Sequence, residues 1–189
     1  MKRAFFLILA LMMLLSGCAK QAVLPEDWEA DWTVVSSRLA AEPLEGFELK
    51  EINDALAVSG IYYATWASGK AREHVNEEGE TAEVYDAQVY VLSQDFRNAD
   101  AARKEAGGWT ERAGTIYQVG EPEILTLNDQ EFTLLPLLSG SETNPYRHGY
   151  AAWTVREDTA VWVELLSTDN WQGDLRATLV SFLSGFHFN

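Results

Sequence analysis

The strongest constraint on the fold is an alternation of apolar and polar residues, with a period of two, in two segments of the sequence. One segment runs from Ile61 to Ala67 and the other from Val84 to Leu92. Because successive side chains of a strand point to opposite sides, this period predicts strands with one buried face. The apolar face of the second segment carries Tyr85, Ala87, Val89 and Val91.

Hairpins dominate the predicted organisation of the chain. We expect the polar segment Gly69 to Glu83, centred on Glu77-Glu78-Gly79, to form a long hairpin loop between the first two strands. Two-residue turn signals predict two further hairpins, since such turns fit the twist of paired strands. These signals are Asn128-Asp129, between Ile124 to Leu127 and Gln130 to Leu135, and Glu157-Asp158, between Tyr150 to Val155 and Ala160 to Leu166.

Apolar residues at helical spacing predict a helix after the second strand. Asp95 or Asn98 caps it, Gly107-Gly108 weakens its last turn, and Gly114 ends it. Its apolar stripe consists of Phe96, Ala99, Ala102, Ala106 and Trp109.

A second, amphipathic helix is predicted at the C-terminus. Asp169 or Asn170 caps it, and Asp174 lies in its first turn, where the helix dipole favours an acid. Its stripe consists of Trp171, Leu175, Leu179, Phe182 and Phe186. The order of strands, helix, strands and helix predicts an α+β fold, in which helices flank an antiparallel β-sheet built from hairpins.

Residues 26 to 41 leave two interpretations open. Trp28, Trp32, Val35 and Leu39 follow helical spacing, whereas Thr33 to Ser37 has the composition of a strand. Pro43 and Gly46 end either element.

The order of elements resembles the Mog1/PsbP-like α/β/α sandwich. The similarity rests on an early strand near Pro43 and Gly46-Phe47, a hairpin, a helix, a meander and a C-terminal helix containing Ser181-Phe182. This resemblance implies a fold family that includes several bacterial lipoproteins and whose members are mostly noncatalytic binding or assembly factors. No residue motif accompanies it, so no site residue follows from it.

The N-terminus carries the pattern of a targeting segment. Lys2 and Arg3 precede the apolar run Ala4 to Leu15, whose 12 residues are too few for the roughly 20 of a transmembrane helix. The tetrapeptide at its end, Leu15-Ser16-Gly17-Cys18, resembles the lipobox of bacterial lipoproteins. That resemblance implies that Cys18 carries a thioether-linked diacylglycerol and further acyl chains such as palmitate. It also implies an extracytoplasmic protein on the outer face of the cytoplasmic membrane, or on an outer membrane where the envelope has one.

We therefore divide the chain into a signal peptide at 1–17, a lipidated cysteine with a short tether at 18–25, and one α+β domain at 26–189. The alternatives are an ordinary secretory signal followed by an unrelated cysteine, or an uncleaved anchor. The net charge is −15, and loss of Lys2 and Arg3 with the signal makes it −17. This charge argues against nucleic-acid binding and against electrostatic docking to a membrane, so the lipid anchor is the expected membrane contact.

No catalytic motif stands out, and we expect neither an enzyme nor a cofactor or metal. His74, His148 and His187 are far apart and lack metal-ligand spacing, and the one cysteine is assigned to the anchor. The acidic segment Glu77 to Glu83, with Asp86 after it, offers oxygen ligands for calcium. Its spacing does not match an EF-hand, so we interpret it as a solvated surface.

Aromatic residues supply the candidate binding positions. Trp162 shares a strand face with Glu164, which suggests partial exposure, and the turn-rich segment Asn144 to Tyr150 clusters rings with a cation. The candidate binding residues are Trp162, Tyr146, Arg147, His148 and Tyr150.

Three hypotheses follow. The first is a noncatalytic, lipid-anchored domain that binds a protein partner or assists envelope assembly. The second is a lipoprotein that binds a glycan or a small ligand through the five candidate residues. The third is a hydrolase whose site joins His148 or His74 to a distant nucleophile and a carboxylate.

Replacing the predicted lipidation residue tests the anchor. In cells supplied with a clickable palmitate analogue, the unchanged chain should be labelled and should sediment with membranes, whereas Cys18→Ala should lose both properties. Ser16→Ala keeps a small residue before the cysteine and serves as the control that retains them. Label retained by Cys18→Ala would contradict the assignment.

Overall fold

The computed structural model describes residues 28–76, 79–141 and 143–189, which form strands and helices in an α+β arrangement. The strands are β1 (Thr33–Ser36), β2 (Leu39–Ala41), β3 (Glu48–Asn53), β4 (Ile61–Ser68), β5 (Arg72–Val75), β6 (Thr81–Val84), β7 (Ala87–Asp95), β8 (Tyr117–Val119), β9 (Glu123–Leu127), β10 (Gln130–Ser139), β11 (His148–Arg156), β12 (Thr159–Ser167) and β13 (Phe186–Phe188). The helices are α1 (Ala99–Gly107), α2 (Trp109–Ala113) and α3 (Leu175–Ser184), and a 3-10 turn spans Ala57–Ser59.

One eight-stranded antiparallel sheet, referred to below as the large sheet, forms the centre of the molecule. Its strand order is β3-β4-β7-β12-β11-β10-β8, and β9 also pairs with β10. A smaller sheet has the order β1-β2-β13, and β5 pairs with β6 in a separate ribbon. The hairpin-built antiparallel sheet predicted from the sequence is therefore confirmed.

The large sheet is covered by helices on both faces. On one face α3 packs Leu179, Phe182 and Leu183 into a core that includes Trp66, and the Trp66 and Phe182 ring centroids are 5.1 Å apart. On the other face α1 and α2 cover Trp162, which meets Trp109 edge to face at 5.9 Å. This layering is the α/β/α arrangement that the resemblance implies.

Both predicted two-residue turns are present. Asn128 and Asp129 have φ values of 48° and 61°, and Glu157 has a φ of 52°. Such left-handed conformations suit two-residue hairpin turns, and Asn and Asp adopt them more readily than most residues do. The local chemistry of each turn was therefore sufficient to locate these hairpins.

The predicted strand from Val84 to Leu92 is wrong at its start. The chain turns a corner at Asp86, whose N–H donates to the Ser68 carbonyl at 3.0 Å and whose carbonyl accepts from the Thr168 N–H at 2.9 Å. These bonds end β6 before the corner and start β7 after it. Tyr85 therefore lies outside the strands and does not share the buried face of Val89.

The predicted long loop between the first two strands is also wrong, because it contains β5 and β6. Arg72 at the base of this ribbon forms an ion pair with Asp86 at 2.6 Å. Gly69 has a φ of 85°, and a side chain there would collide with the Asp86 carboxylate. A charged ribbon of this kind lacks the apolar alternation that reveals strands with a buried face.

The predicted helix after β7 is divided into α1 and α2 at Gly108. Asn98 is the cap, since its side chain accepts from the Ala101 N–H at 3.0 Å, whereas Asp95 belongs to β7. Two consecutive glycines have low helix propensity, which allows the break. The break lets α2 place Trp109 over the sheet.

The C-terminal helix is confirmed, but its limits differ from the prediction. Asp174 is the cap, with its side chain accepting from the Ala177 N–H at 2.9 Å. Trp171 therefore precedes the helix and Phe186 belongs to β13. In the ambiguous N-terminal segment, the described residues form the β1–β2 hairpin rather than a helix.

No helix in the described part of the chain is long and apolar enough to cross a membrane.

A matched pair of leucines tests the core on the α3 face. Leu179→Ala removes a side chain that is 0% exposed and should lower the free energy of unfolding by about 2–5 kcal/mol. Leu138→Ala removes one that is 40% exposed and should cost less than about 1 kcal/mol. Denaturant unfolding of the full chain measures both, and equal losses would contradict the assigned core.

Candidate functional site

Tyr146, the first candidate of the predicted binding segment, is held by the fold. Its hydroxyl accepts from the Tyr85 N–H at 3.1 Å and donates to Gln88 Oε1 at 2.8 Å. Burial raises the pKa of the Tyr146 phenol, and the hydrogen bond from the Tyr85 backbone opposes the rise. Both of its hydrogen-bonding roles are used within the molecule, so Tyr146 closes the corner between β6 and β7.

The structure does not bring Trp162 together with the other four candidates. Trp162 is only 7% exposed and lies beneath α2, so the predicted partial exposure is wrong. The aromatic cover that buries it comes from Trp109, a helix residue distant in sequence. Tyr150 packs on the opposite face of the large sheet, against the core under α3. Arg147 is half-buried and donates its N–H to the Ser167 carbonyl at 3.0 Å.

His148, the remaining candidate, lines a shallow cavity of about 270 Å³ at the start of β11. Its Nε2 lies 3.5 Å from Asp169 Oδ1. Thr168 also lines this cavity, but its hydroxyl donates to the Asp86 carbonyl at 3.2 Å. No serine or threonine hydroxyl in the described residues is hydrogen-bonded to a histidine, so the nucleophile–base contact that the hydrolase hypothesis needs is not formed here.

A larger concave site lies where the two ends of the described chain meet. It has a volume of about 340 Å³ and lies beside the turn of the β9–β10 hairpin, where aromatic rings line it together with the polar side chains of Asn128, Gln130 and Arg156. We call this site the aromatic groove and define it by Trp28, Trp32, Arg156, Phe186, His187 and Phe188. Its volume falls within the range of known ligand pockets, roughly 300–1,000 Å³.

A stacked pair of rings forms one wall of the aromatic groove. The Trp32 and His187 rings are 3.6 Å apart between centroids and nearly parallel, at 12°. His187 Nε2 is also 2.8 Å from Glu42 Oε1, which fixes the orientation of the imidazole. The wall therefore has a defined shape before any ligand arrives, which lowers the entropy lost on binding.

Arg156 provides the positive charge of the aromatic groove. Its guanidinium lies 6.0 Å from the Phe188 ring centroid and donates to Gln130 Oε1 at 3.5 Å. Gln130 is itself held, since its amide donates to the Thr154 hydroxyl and to the Val155 carbonyl. Within the described residues Arg156 forms no ion pair with a carboxylate, which leaves its charge for an acidic ligand group.

Two predicted features lie partly or wholly outside the described residues. Cys18 is one, so its lipidation stays a prediction. Glu77 and Glu78 of the acidic segment are the other, and the calcium alternative stays untested there. Among the described residues, no group of three histidine, aspartate or glutamate side chains is placed to hold a metal ion.

None of the five predicted binding residues belongs to the aromatic groove, although aromatic residues in two other segments of the sequence do. Three consecutive ring-bearing residues, Phe186, His187 and Phe188, follow the C-terminal helix. Trp28 and Trp32 precede β1. These two segments are more than 150 residues apart in sequence. Only the pairing of β13 with β2 brings them into one wall.

Comparison with known proteins finds similarity only among solved structures. No family model and no curated protein matches it. It is similar in structure to cyanobacterial PsbP from Synechocystis sp. PCC 6803, at 12% sequence identity and a TM-score of 0.49, with 89% of this chain and 99% of that chain covered. A protein from Bacteroides thetaiotaomicron is similar at 7% identity and a TM-score of 0.41, covering 82% of this chain and 47% of that chain. Because both TM-scores are below 0.5, the resemblance to a named fold family stays a prediction.

Removing one hydroxyl tests the structural role of Tyr146. Tyr146→Phe leaves the Tyr85 N–H and the Gln88 side chain without their partner and should lower the free energy of unfolding by about 1–3 kcal/mol. Tyr85→Phe removes an exposed hydrogen bond to Glu83 and should cost less than about 0.5 kcal/mol. If Tyr146→Phe unfolds at the same denaturant concentration as the unchanged chain, the structural assignment is wrong.

Proposed function

We propose that this chain is a noncatalytic, lipid-anchored extracytoplasmic domain that binds an extended segment of a partner protein in the aromatic groove. The observation that carries the proposal is the combination, in one concave site, of preformed aromatic walls, a guanidinium without a carboxylate partner, and a strand at the edge of a sheet. The edge strand can pair with a peptide backbone, the aromatic walls can hold an apolar side chain, and the guanidinium can bind an acidic group.

The edge strand β13 can bind the backbone of the peptide. β13 stands at the end of the order β1-β2-β13 and pairs with β2 on one side only, as far as the described strands show. An exposed edge presents backbone N–H and C=O groups that an added strand can pair with. The side chains of Phe186, His187 and Phe188 then line the site beside the added backbone.

The aromatic walls and Arg156 can bind side chains of the peptide. A volume of about 340 Å³ accommodates an aromatic or branched aliphatic residue, and burying such a residue contributes about 1.5–3 kcal/mol. Arg156 offers a guanidinium to an aspartate, a glutamate or a C-terminal carboxylate. The domain as a whole is strongly acidic, so this local positive charge favours one orientation of the partner.

The position of the groove supports a partner close to the membrane. Trp28 is ten residues from Cys18, and an extended chain of that length reaches at most about 35 Å. If Cys18 carries the lipid, the groove stays within that distance of the bilayer. Membrane-proximal segments of envelope proteins are then the accessible ligands.

The aromatic groove supports a peptide better than a glycan. Sugars bind by stacking on an open ring face, and His187 already covers one face of Trp32 at 3.6 Å. Trp162, one of the five residues on which the glycan hypothesis depended, is buried under α2. Neither its ring nor the covered face of Trp32 is open to a sugar.

Site-specific photocrosslinking in living cells tests the proposal. Benzoylphenylalanine at Phe188 should give one discrete, protease-sensitive adduct, and Arg156→Gln in the same chain should reduce its yield by about tenfold. Val75, which is 60% exposed and lies on the β5–β6 ribbon at the other end of the large sheet, is the control position and should not give that adduct. Adducts that resist protease, or that form equally at Val75, would contradict a peptide ligand in the groove.

A further inference from the structure

An acidic side chain without a cation lies on the face of the large sheet that carries α1 and α2. Strand β12 places Glu164 on the same face as Trp162. Its cross-strand neighbours are Tyr90 on β7 and Ala151 on β11, and Tyr90 in turn pairs with Thr65 on β4. Directly paired residues of antiparallel strands share a face, so these side chains form one row across the sheet.

The helices cover only part of this row. α1 contacts β11 and β12, and α2 packs Trp109 on Trp162. Further along the same face, Tyr63, Thr65 and Tyr90 are half-buried and retain access to solvent. Glu164 is half-buried as well, so it stays partly accessible from the side of β4 and β7, whereas Trp162 is buried.

The charge of Glu164 is not compensated within the described residues. Burial raises the pKa of its carboxyl, and a hydrogen bond with the Trp162 side chain opposes the rise. No lysine, arginine or histidine of the described chain forms an ion pair with Glu164. Ionisation therefore leaves a negative charge in a poorly solvated position, which is unfavourable until a cation arrives.

Two tyrosines lie beside this carboxyl, since Tyr90 is the cross-strand neighbour of Glu164 and the Tyr90 ring contacts that of Tyr63. The Tyr63 and Tyr90 ring centroids are 5.6 Å apart, with 33° between the planes. Burial and the charge of Glu164 raise the pKa of Tyr117, and burial, Tyr63 and Glu164 raise the pKa of Tyr90. Both phenols are therefore neutral at physiological pH, and both lie near enough to Glu164 to sense its charge.

We propose that Glu164 and the rings of Tyr90 and Tyr63 form a binding site for an alkylammonium group. An ammonium ion is attracted both by a carboxylate and by the electron-rich faces of aromatic rings, and this cluster offers both. A hard metal ion is a poorer fit, since calcium takes about six to eight oxygen ligands and the cluster presents a single carboxylate. The ammonium can belong to a lysine side chain or to a quaternary amine.

Binding at this site should depend on pH. The titratable groups near this carboxyl are Tyr90 from β7, which pairs with Glu164, Tyr63 from β4, which contacts Tyr90, and Tyr117 from β8, whose pKa the charge of Glu164 raises. Glu51 on β3 acts on Tyr90. β11 contributes Ala151, and the inward residues of α1 and α2 carry no charge. Because the ammonium binds the ionised carboxylate, the affinity should rise with pH through the raised pKa of Glu164.

Calorimetry on the full chain in a nonionic detergent tests this inference. The probes are butylammonium, tetramethylammonium and uncharged n-butanol at constant ionic strength, each at about pH 5.5 and about pH 8. At least one ammonium probe should bind, more tightly at the higher pH, and n-butanol should not. Glu164→Gln should weaken binding at least about tenfold, whereas Glu73→Gln, which removes an exposed acid from the separate β5–β6 ribbon, should change it less than about twofold.

The two probes also separate the sources of the ligand. A preference for butylammonium indicates a lysine-like group, and a preference for tetramethylammonium indicates a quaternary amine. Absence of binding by both probes would overturn the inference. Equal weakening by Glu164→Gln and Glu73→Gln would overturn it as well, since attraction to the net negative charge would then explain the binding. Both variants should fold, because glutamine has nearly the same shape as a protonated glutamate. Their unfolding curves check this.

Discussion

The pairing of β7 with β12 holds the two halves of the molecule together. Nine consecutive residues of each strand are in register, from Asp95 opposite Thr159 to Ala87 opposite Ser167. This pair places hairpins from the N-terminal half beside hairpins from the C-terminal half in one sheet. Because most of the pair is buried, β12 is apolar from Ala160 to Leu166 except at Glu164, which is the only charged residue of the strand.

Local chemistry explains the elements that could be predicted. The turns at Asn128-Asp129 and Glu157-Asp158, the cap at Asn98 and the apolar stripe of α3 each depend on residues within a few positions of one another. The errors arose where distant residues decide the outcome. The corner at Asp86 depends on Ser68 and Thr168, and the burial of Trp162 depends on Trp109. A pattern of period two cannot report such contacts, since it describes one strand at a time.

The same limit applies to the candidate sites. The sequence drew attention to Tyr146 to Tyr150 because rings and turn residues cluster there, but the fold uses Tyr146 to close a corner and turns Tyr150 into the core. The aromatic groove was not predicted because its walls come from opposite ends of the described chain. From the sequence, Glu164 entered the prediction only as a neighbour of Trp162. The tyrosines near it lie on other strands, far from it in sequence.

The two proposed sites lie on different faces of the large sheet and share no residue. The groove contacts the core under α3 through Phe132, Leu183 and Phe186, whereas Glu164 lies on the face of α1 and α2. Peptide binding and ammonium binding can therefore be lost separately. A structure of the chain crosslinked to its partner through Phe188 tests the central claim most directly. We predict an extended partner segment alongside β13, with an apolar side chain between Trp28 and Phe188 and an acidic group at Arg156; a partner seated elsewhere, with β13 unpaired and the groove empty, would contradict the account.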